Sequence, residues 1–419
     1  MAPTNQSTET SAGPLMDQAR KVFSSALVDG LANVGLDFLE GESQGAFILD
    51  EDGNRYLDAY ASGASCNLGR RPEALAKALE TAALETDQGN FVLLSEEKAM
   101  LAEKLAGFMP DHLGCCYFSV VRGEAMEAAC KLARGVTGRP NLAAVEGAWH
   151  GDTGFALSLS QHAQKHLFEP LIPAVEPIPF DDRDAIERVV TENAAAVIVE
   201  TVQVENGCRT ADPEFLRAVQ QQCRRVGALL IVDETQTGFG RTGKRFSIEH
   251  ADLRPDILVF GEAICGGMFN MSGLSFTSTV KGFFDDHPLI HLCTFGGHDI
   301  GCRVATEALD GYETIRPWRN AAALEGQLQK SLADLQMRHP EVIKNVVATG
   351  LLGAVVLSEP DQAAGFCRRA RENGAILKQG RVDSASVIVR PPLTITREEL
   401  ELLTTRMRRA GEQLTGLFP

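Results

Sequence analysis

The feature that most constrains this chain is a pair of short apolar runs that each end in an acid. Ala195-Ala196-Val197-Ile198-Val199 runs into Glu200, and Leu229-Leu230-Ile231-Val232 runs into Asp233 and a turn rich in glycine (Gly238, Gly240, Gly243). Strands that are apolar on both faces are buried on both faces, as in a parallel sheet covered by helices. The polar residue at the end of each then falls at the carboxyl edge, where open α/β sheets bind ligands. Segments of helix and strand periodicity alternate through most of the length. The chain therefore reads as α/β, with a large, mostly parallel central sheet.

The flanks divide the 419 residues further. Residues 1–13 are rich in Ser, Thr and Pro and are expected to form a mobile tail. Residues 14–60 are expected to pack with a smaller domain, and Gly45 to Asp58 holds two β-like runs around Asp52-Gly53, the pattern of a hairpin. Glu96 to Gly107 and Glu124 to Gly135 have helical spacing, the second closed by a glycine. The large domain is expected to span residues 61–310. From 311 to 419 the pattern changes to one long helix (Tyr312 to Met337), β-like Val342 to Leu357, a helix, Val387-Ile388-Val389-Arg390 and a closing helix, which together suit a small α+β domain.

Composition narrows the partners. A formal net charge of −16 argues against nucleic acid, whose phosphates need clustered Lys and Arg, and against an anionic membrane surface. No apolar run approaches bilayer length, and no basic-then-apolar leader precedes the body, so the expected location is cytoplasmic. Ten cysteines without the spacing of a zinc site or a disulfide framework read as reduced, mostly buried thiols, and no metal site is expected.

The stretch Asp233-Glu234-Thr235-Gln236-Thr237-Gly238-Phe239-Gly240-Arg241-Thr242-Gly243, with Pro255 to Phe260 and then Gly261-Glu262-Ala263-Ile264-Cys265-Gly266-Gly267, resembles the core of the class III aminotransferases. These are enzymes of the ornithine, acetylornithine and glutamate-semialdehyde type, which use pyridoxal phosphate (PLP) on the fold of type I PLP enzymes. The resemblance spans roughly residues 40 to 400 and implies roles by position. Asp233 matches the acid that pairs with the pyridine nitrogen, Gln236 the residue near the ring hydroxyl, and Trp149, in Trp149-His150-Gly151, the aromatic that stacks on the ring. Glu200 matches an acid on the substrate side, and with His150 it joins the implied catalytic residues. The family's phosphate cup reads Ser-Gly-Thr-Glu-Ala; here it is Val121-Arg122-Gly123-Glu124-Ala125, with Arg122 as the replacement phosphate contact beside Gly123. Thr294, in Thr294-Phe295-Gly296-Gly297, matches a residue that reaches the phosphate of a neighbouring subunit, which implies a homodimer with shared active sites. Arg390 matches the fork that binds the carboxylate of a small, amino-acid-like substrate.

Glu262 stands where the resemblance places the lysine that holds PLP. A carboxylate forms no imine, but it can move protons. With Asp233, Glu200 and Glu124 nearby, like charges would raise the pKa of at least one acid. Either Glu262 is protonated near neutral pH, or a cation (Arg122, Arg241, a substrate amine or a metal) replaces the lysine's charge. Three functions fit this pattern. PLP or its amine form (PMP) binds non-covalently with Glu262 as proton shuttle; the cofactor is lost and the pocket does acid/base work such as isomerisation, cyclisation, dehydration or hydrolysis; or the protein is a non-catalytic partner.

Overall fold

The computed structural model describes residues 12–89 and 93–415. The expected tail falls mainly on residues 1–11, outside the described residues, while Ala12 and Gly13 begin the helix Ala12–Val22. The N-terminal hairpin forms from β1 (Phe47–Leu49) and β2 (Arg55–Asp58), which pair antiparallel with Phe47 opposite Leu57.

Seven strands build the central sheet: β3 (Cys115–Ser119), β4 (Asn141–Val145), β5 (Val175–Ile178), β6 (Ala194–Val199), β9 (Leu229–Asp233), β10 (Ile257–Phe260) and β11 (Ser272–Phe276). A two-stranded pair, β7 (Val202–Gln203) and β8 (Arg209–Thr210), stands outside it. The sheet order is β3-β11-β10-β9-β6-β4-β5, with β11 antiparallel to both of its neighbours and the rest parallel. Every residue of β6, β9 and β10 is buried, as their continuous apolar runs require. One core lies on each face, around Leu230, Val232 and Phe260 on one side and around Ile231, Val259 and Ala129 on the other.

The C-terminal part carries a second sheet of β12 (Ile343–Thr349), β13 (Leu352–Leu357), β15 (Lys378–Gln379) and β16 (Ser386–Val389), in the order β12-β13-β16-β15. β14 (Ala375–Ile376) instead pairs parallel with β2, and Ala46, Leu57 and Ala59 share a core with Leu328, Val355 and Leu403. Two expectations need correction. The long helix at Tyr312 to Met337 is two helices, Asp299–Ile315 and Pro317–Arg338, broken at Arg316 with φ 51°. The residue before a proline avoids the α conformation, and Pro317 opens the second helix at its first position. The helix expected at Glu124 to Gly135 runs Arg122–Thr137 and closes on left-handed Gly138.

Candidate active site

The carboxyl ends of β3, β4, β6, β9 and β10 bring the candidate residues together, and two of them form a buried pair. Asp233, the last residue of β9, has Oδ2 2.7 Å from His150 Nδ1, both side chains fully shielded. Its Oδ1 accepts the Thr235 N–H at 3.0 Å, and the His150 backbone N–H donates to Ser160 Oγ at 2.7 Å. A carboxylate oxygen accepts, so Nδ1 is the donor in this bond. The ring's Nε2 is buried and has no hydrogen-bond partner among the described residues. Glu200 follows β6 and accepts the Trp149 N–H at 2.9 Å. Burial, and then the charge of nearby Asp233, push the Glu200 carboxyl well above the ordinary carboxylate range, which favours its protonated form.

This shift has a measurable sign. An acid whose folded pKa is raised binds more protons folded than unfolded above the unfolded value of about 4.3. Its contribution is therefore fully present below about pH 4.3 and declines as pH climbs toward the folded pKa. Urea midpoints of wild type should fall across that window relative to Glu200→Gln; parallel profiles would remove the argument. Glu205 behaves oppositely, because the Arg390 guanidinium outweighs burial and lowers its pKa, so its contribution is lost as pH drops through the acid range.

Arg390 lies just past β16, buried. Its Nη1 is 2.9 Å from Glu205 Oε1 and also meets Gln236 Oε1, while Nε donates to the Tyr60 carbonyl at 3.2 Å. The Tyr60 ring lies 5.1 Å from the guanidinium carbon. Glu205, between β7 and β8, also accepts the Arg381 N–H at 3.0 Å. Sequence reading missed Glu205. The available signal was a single acid after Val202-Gln203-Val204, but its partner is 185 positions away.

Glu262 opens the turn after β10 and meets the helix Arg122–Thr137 head-on. Oε2 is 2.9 Å from Arg122 Nη2, and Oε1 accepts the Arg122 backbone N–H at 3.3 Å. Burial alone would lower the Arg122 pKa, but Glu262 outweighs it and the guanidinium stays charged. Of the cations expected to replace a lysine, Arg122 is the one in contact. Arg241 instead donates to Asn67 Oδ1 and the carbonyls of Leu351 and Pro391. The guanidinium carbons of Arg122 and Arg381 lie 5.7 Å and 5.2 Å from the Trp149 ring centroid. Gly63, at φ 72°, sits between the half-buried Arg122–Glu262 pair and the buried Arg390–Glu205 pair: a methyl there would lie 3.7 Å from Arg122 Nη2 and 4.0 Å from Arg390 Nη2. Glu124 does not hydrogen-bond to the acids; its Oε2 accepts the Val120 N–H at 3.0 Å. Gly123 packs on Thr153, whose Oγ1 would lie 3.0 Å from an added Cβ. Thr294 is exposed, and among the described residues no hydrogen bond joins it to these groups.

A mostly parallel sheet with its acids converging at the carboxyl edge, a second sheet whose strand β16 runs into an arginine, and a helix N-terminus facing them define the fold of type I PLP enzymes. The chain belongs to the class III aminotransferases: the family model matches residues 33–410. It is 34% identical over 379 residues to an uncharacterized aminotransferase of Archaeoglobus fulgidus, covering 90% of this chain and 89% of that one. It is 32% identical over 383 residues to the putrescine aminotransferase of Pectobacterium atrosepticum, covering 89% and 82%. The ornithine aminotransferase of Toxoplasma gondii, crystallized with oxidized glutathione and holding PLP at partial occupancy, superposes with a TM-score of 0.84 at 28% identity, covering 90% of this chain and 91% of that one.

PLP is the cofactor of this family, and its phosphate does not fit the pocket as built. The Arg122 N–H and guanidinium at the helix N-terminus already hold a carboxylate, and Val121-Arg122-Gly123 offers no hydroxyl. Arginines also lie within 6 Å of the Trp149 ring that would face the pyridine.

Proposed function

We propose that this protein carries out proton-transfer chemistry, an isomerisation or elimination, on a small amino-acid-like carboxylate without PLP. The observation that carries the reading is the buried Asp233–His150 pair, whose Nε2 has no hydrogen-bond partner among the described residues, next to a Glu200 carboxyl whose pKa is raised by burial and by Asp233. Asp233 orients the imidazole and steadies the positive charge that forms on it, as the acid of a catalytic dyad does. His150 Nε2 takes a proton from carbon, and Glu200 returns one to the developing anion. Arg390 binds the substrate carboxylate by exchanging Glu205 for it. A ligand must therefore match the internal carboxylate before it binds, which favours a full negative charge over a neutral amide.

The geometry supports this reading over non-covalent PLP or PMP with Glu262 as proton shuttle. Both Glu262 oxygens are engaged by Arg122, and Glu262 occupies the position that the resemblance gives to the lysine. A non-catalytic partner would have no use for a buried acid–imidazole pair with an unpartnered Nε2 beside an acid of raised pKa. We also propose a homodimer working in the cytoplasm. Leu289, Ile290, Leu292 and Phe295 around Thr294 are exposed and would be covered by a second copy.

The test is calorimetric titration with a panel of α-amino acids and their amides, on protein whose mass in light scattering should be that of two chains. At least one free acid should bind and its amide should not. Arg390→Lys, which keeps the charge but loses the fork, should weaken binding by about 10- to 100-fold. Equal affinity for acid and amide, or for wild type and Arg390→Lys, would remove Arg390 from the site.

A further inference from the structure

Glu262 sits where an anion would sit. The helix Arg122–Thr137 has no side-chain cap at Val121, and its first amide points at Glu262 Oε1 from 3.3 Å. Arg122 adds a guanidinium to Oε2 at 2.9 Å, and its carbon lies 5.7 Å from the Trp149 ring. Backbone amide, guanidinium and helix dipole make up the chemistry of a phosphate site. Here the chain itself fills that site, with a residue 140 positions away.

We propose that Glu262 is the built-in anion of this cup, an internal carboxylate that keeps phosphate and phosphorylated cofactors out. A phosphate entering the cup would break two charge-assisted bonds and then lie against the carboxylate it displaced. Like charges at such range repel strongly when both are half-buried. A Cβ at Gly123 would lie 3.0 Å from Thr153 Oγ1 and 3.2 Å from its Cγ2, a tight fit for a residue that would restore a hydroxyl there. The pocket is therefore closed to phosphate by one removable charge, and not by the shape of the fold. The proton-transfer reading uses this same contact to exclude PLP, but phosphate binding is measured here without any turnover, so a failure of the one is told apart from a failure of the other.

The experiment is calorimetric titration of wild type, Glu262→Ala and Glu262→Gln with inorganic phosphate, PLP and pyridoxal. Glu262→Ala should bind phosphate and PLP about 10- to 100-fold more tightly than wild type, the range expected for freeing a charge-assisted amide and guanidinium. Pyridoxal, which lacks the phosphate, should gain nothing. The gain should disappear in Arg122→Gly/Glu262→Ala. Should Glu262→Ala fail to fold by circular dichroism, Glu262→Gln keeps the volume, removes the charge and carries the same expectation. Wild type binding phosphate as tightly as a folded Glu262 variant would overturn the proposal. So would a gain that survives the loss of Arg122, or one shared equally by pyridoxal.

Discussion

Replacing Arg390 with alanine should destabilise the folded protein by about 3–5 kcal/mol, the usual cost of stranding one member of a buried ion pair. Arg390 is 2% exposed, Glu205 7%, and they meet at 2.9 Å. Without the guanidinium, the Glu205 carboxylate keeps the Arg381 N–H and the more distant charge of Lys378, and the Tyr60 carbonyl and Gln236 Oε1 lose a donor. Sequence alone gives Arg390 a role in binding and little in stability; the buried pairing with Glu205 changes that. The double variant Glu205→Gln/Arg390→Met should recover most of the loss, because a buried pair replaced by neutral groups of similar volume is often tolerated. Urea midpoints of the two variants decide it. A single variant within about 1 kcal/mol of wild type would mean that water or a neighbouring cation already compensates Glu205.

What the sequence made legible is local. The hairpin at β1 and β2 was readable from Asp52-Gly53, and β6 and β9 from apolar runs that only a two-sided burial explains. Family motifs then put Asp233, His150, Trp149, Glu200 and Arg122 at one sheet edge. Pairings across long stretches of chain were not legible, since nothing in the spacing links Glu205 to Arg390 or sets His150 on Asp233 rather than leaving Asp233 free for a ring nitrogen. The crowding of acids was foreseeable from charge, and so was Arg122 as one of the cations to relieve it. That Arg122 would bind Glu262 with both amide and guanidinium depended on where the turn after β10 meets the helix N-terminus. The break at Arg316 was readable from Pro317, but apolar periodicity continues on both sides and masks it.

The central claim is proton transfer at carbon by His150 and Glu200 without PLP, and deuterium exchange tests it most directly. Protein shown by its spectrum to carry no PLP would be incubated in heavy water with a panel of amino acids, and exchange at carbon followed by nuclear magnetic resonance. The predicted result is exchange into at least one of them, unchanged by added PLP. It should fall about 10²- to 10⁴-fold in Glu200→Gln and in His150→Gln, the usual contribution of a positioned acid or base. Exchange that appears only with added PLP, accompanied by a borohydride-reducible adduct on a lysine, would contradict the account. Absence of exchange with every amino acid offered would contradict it as well.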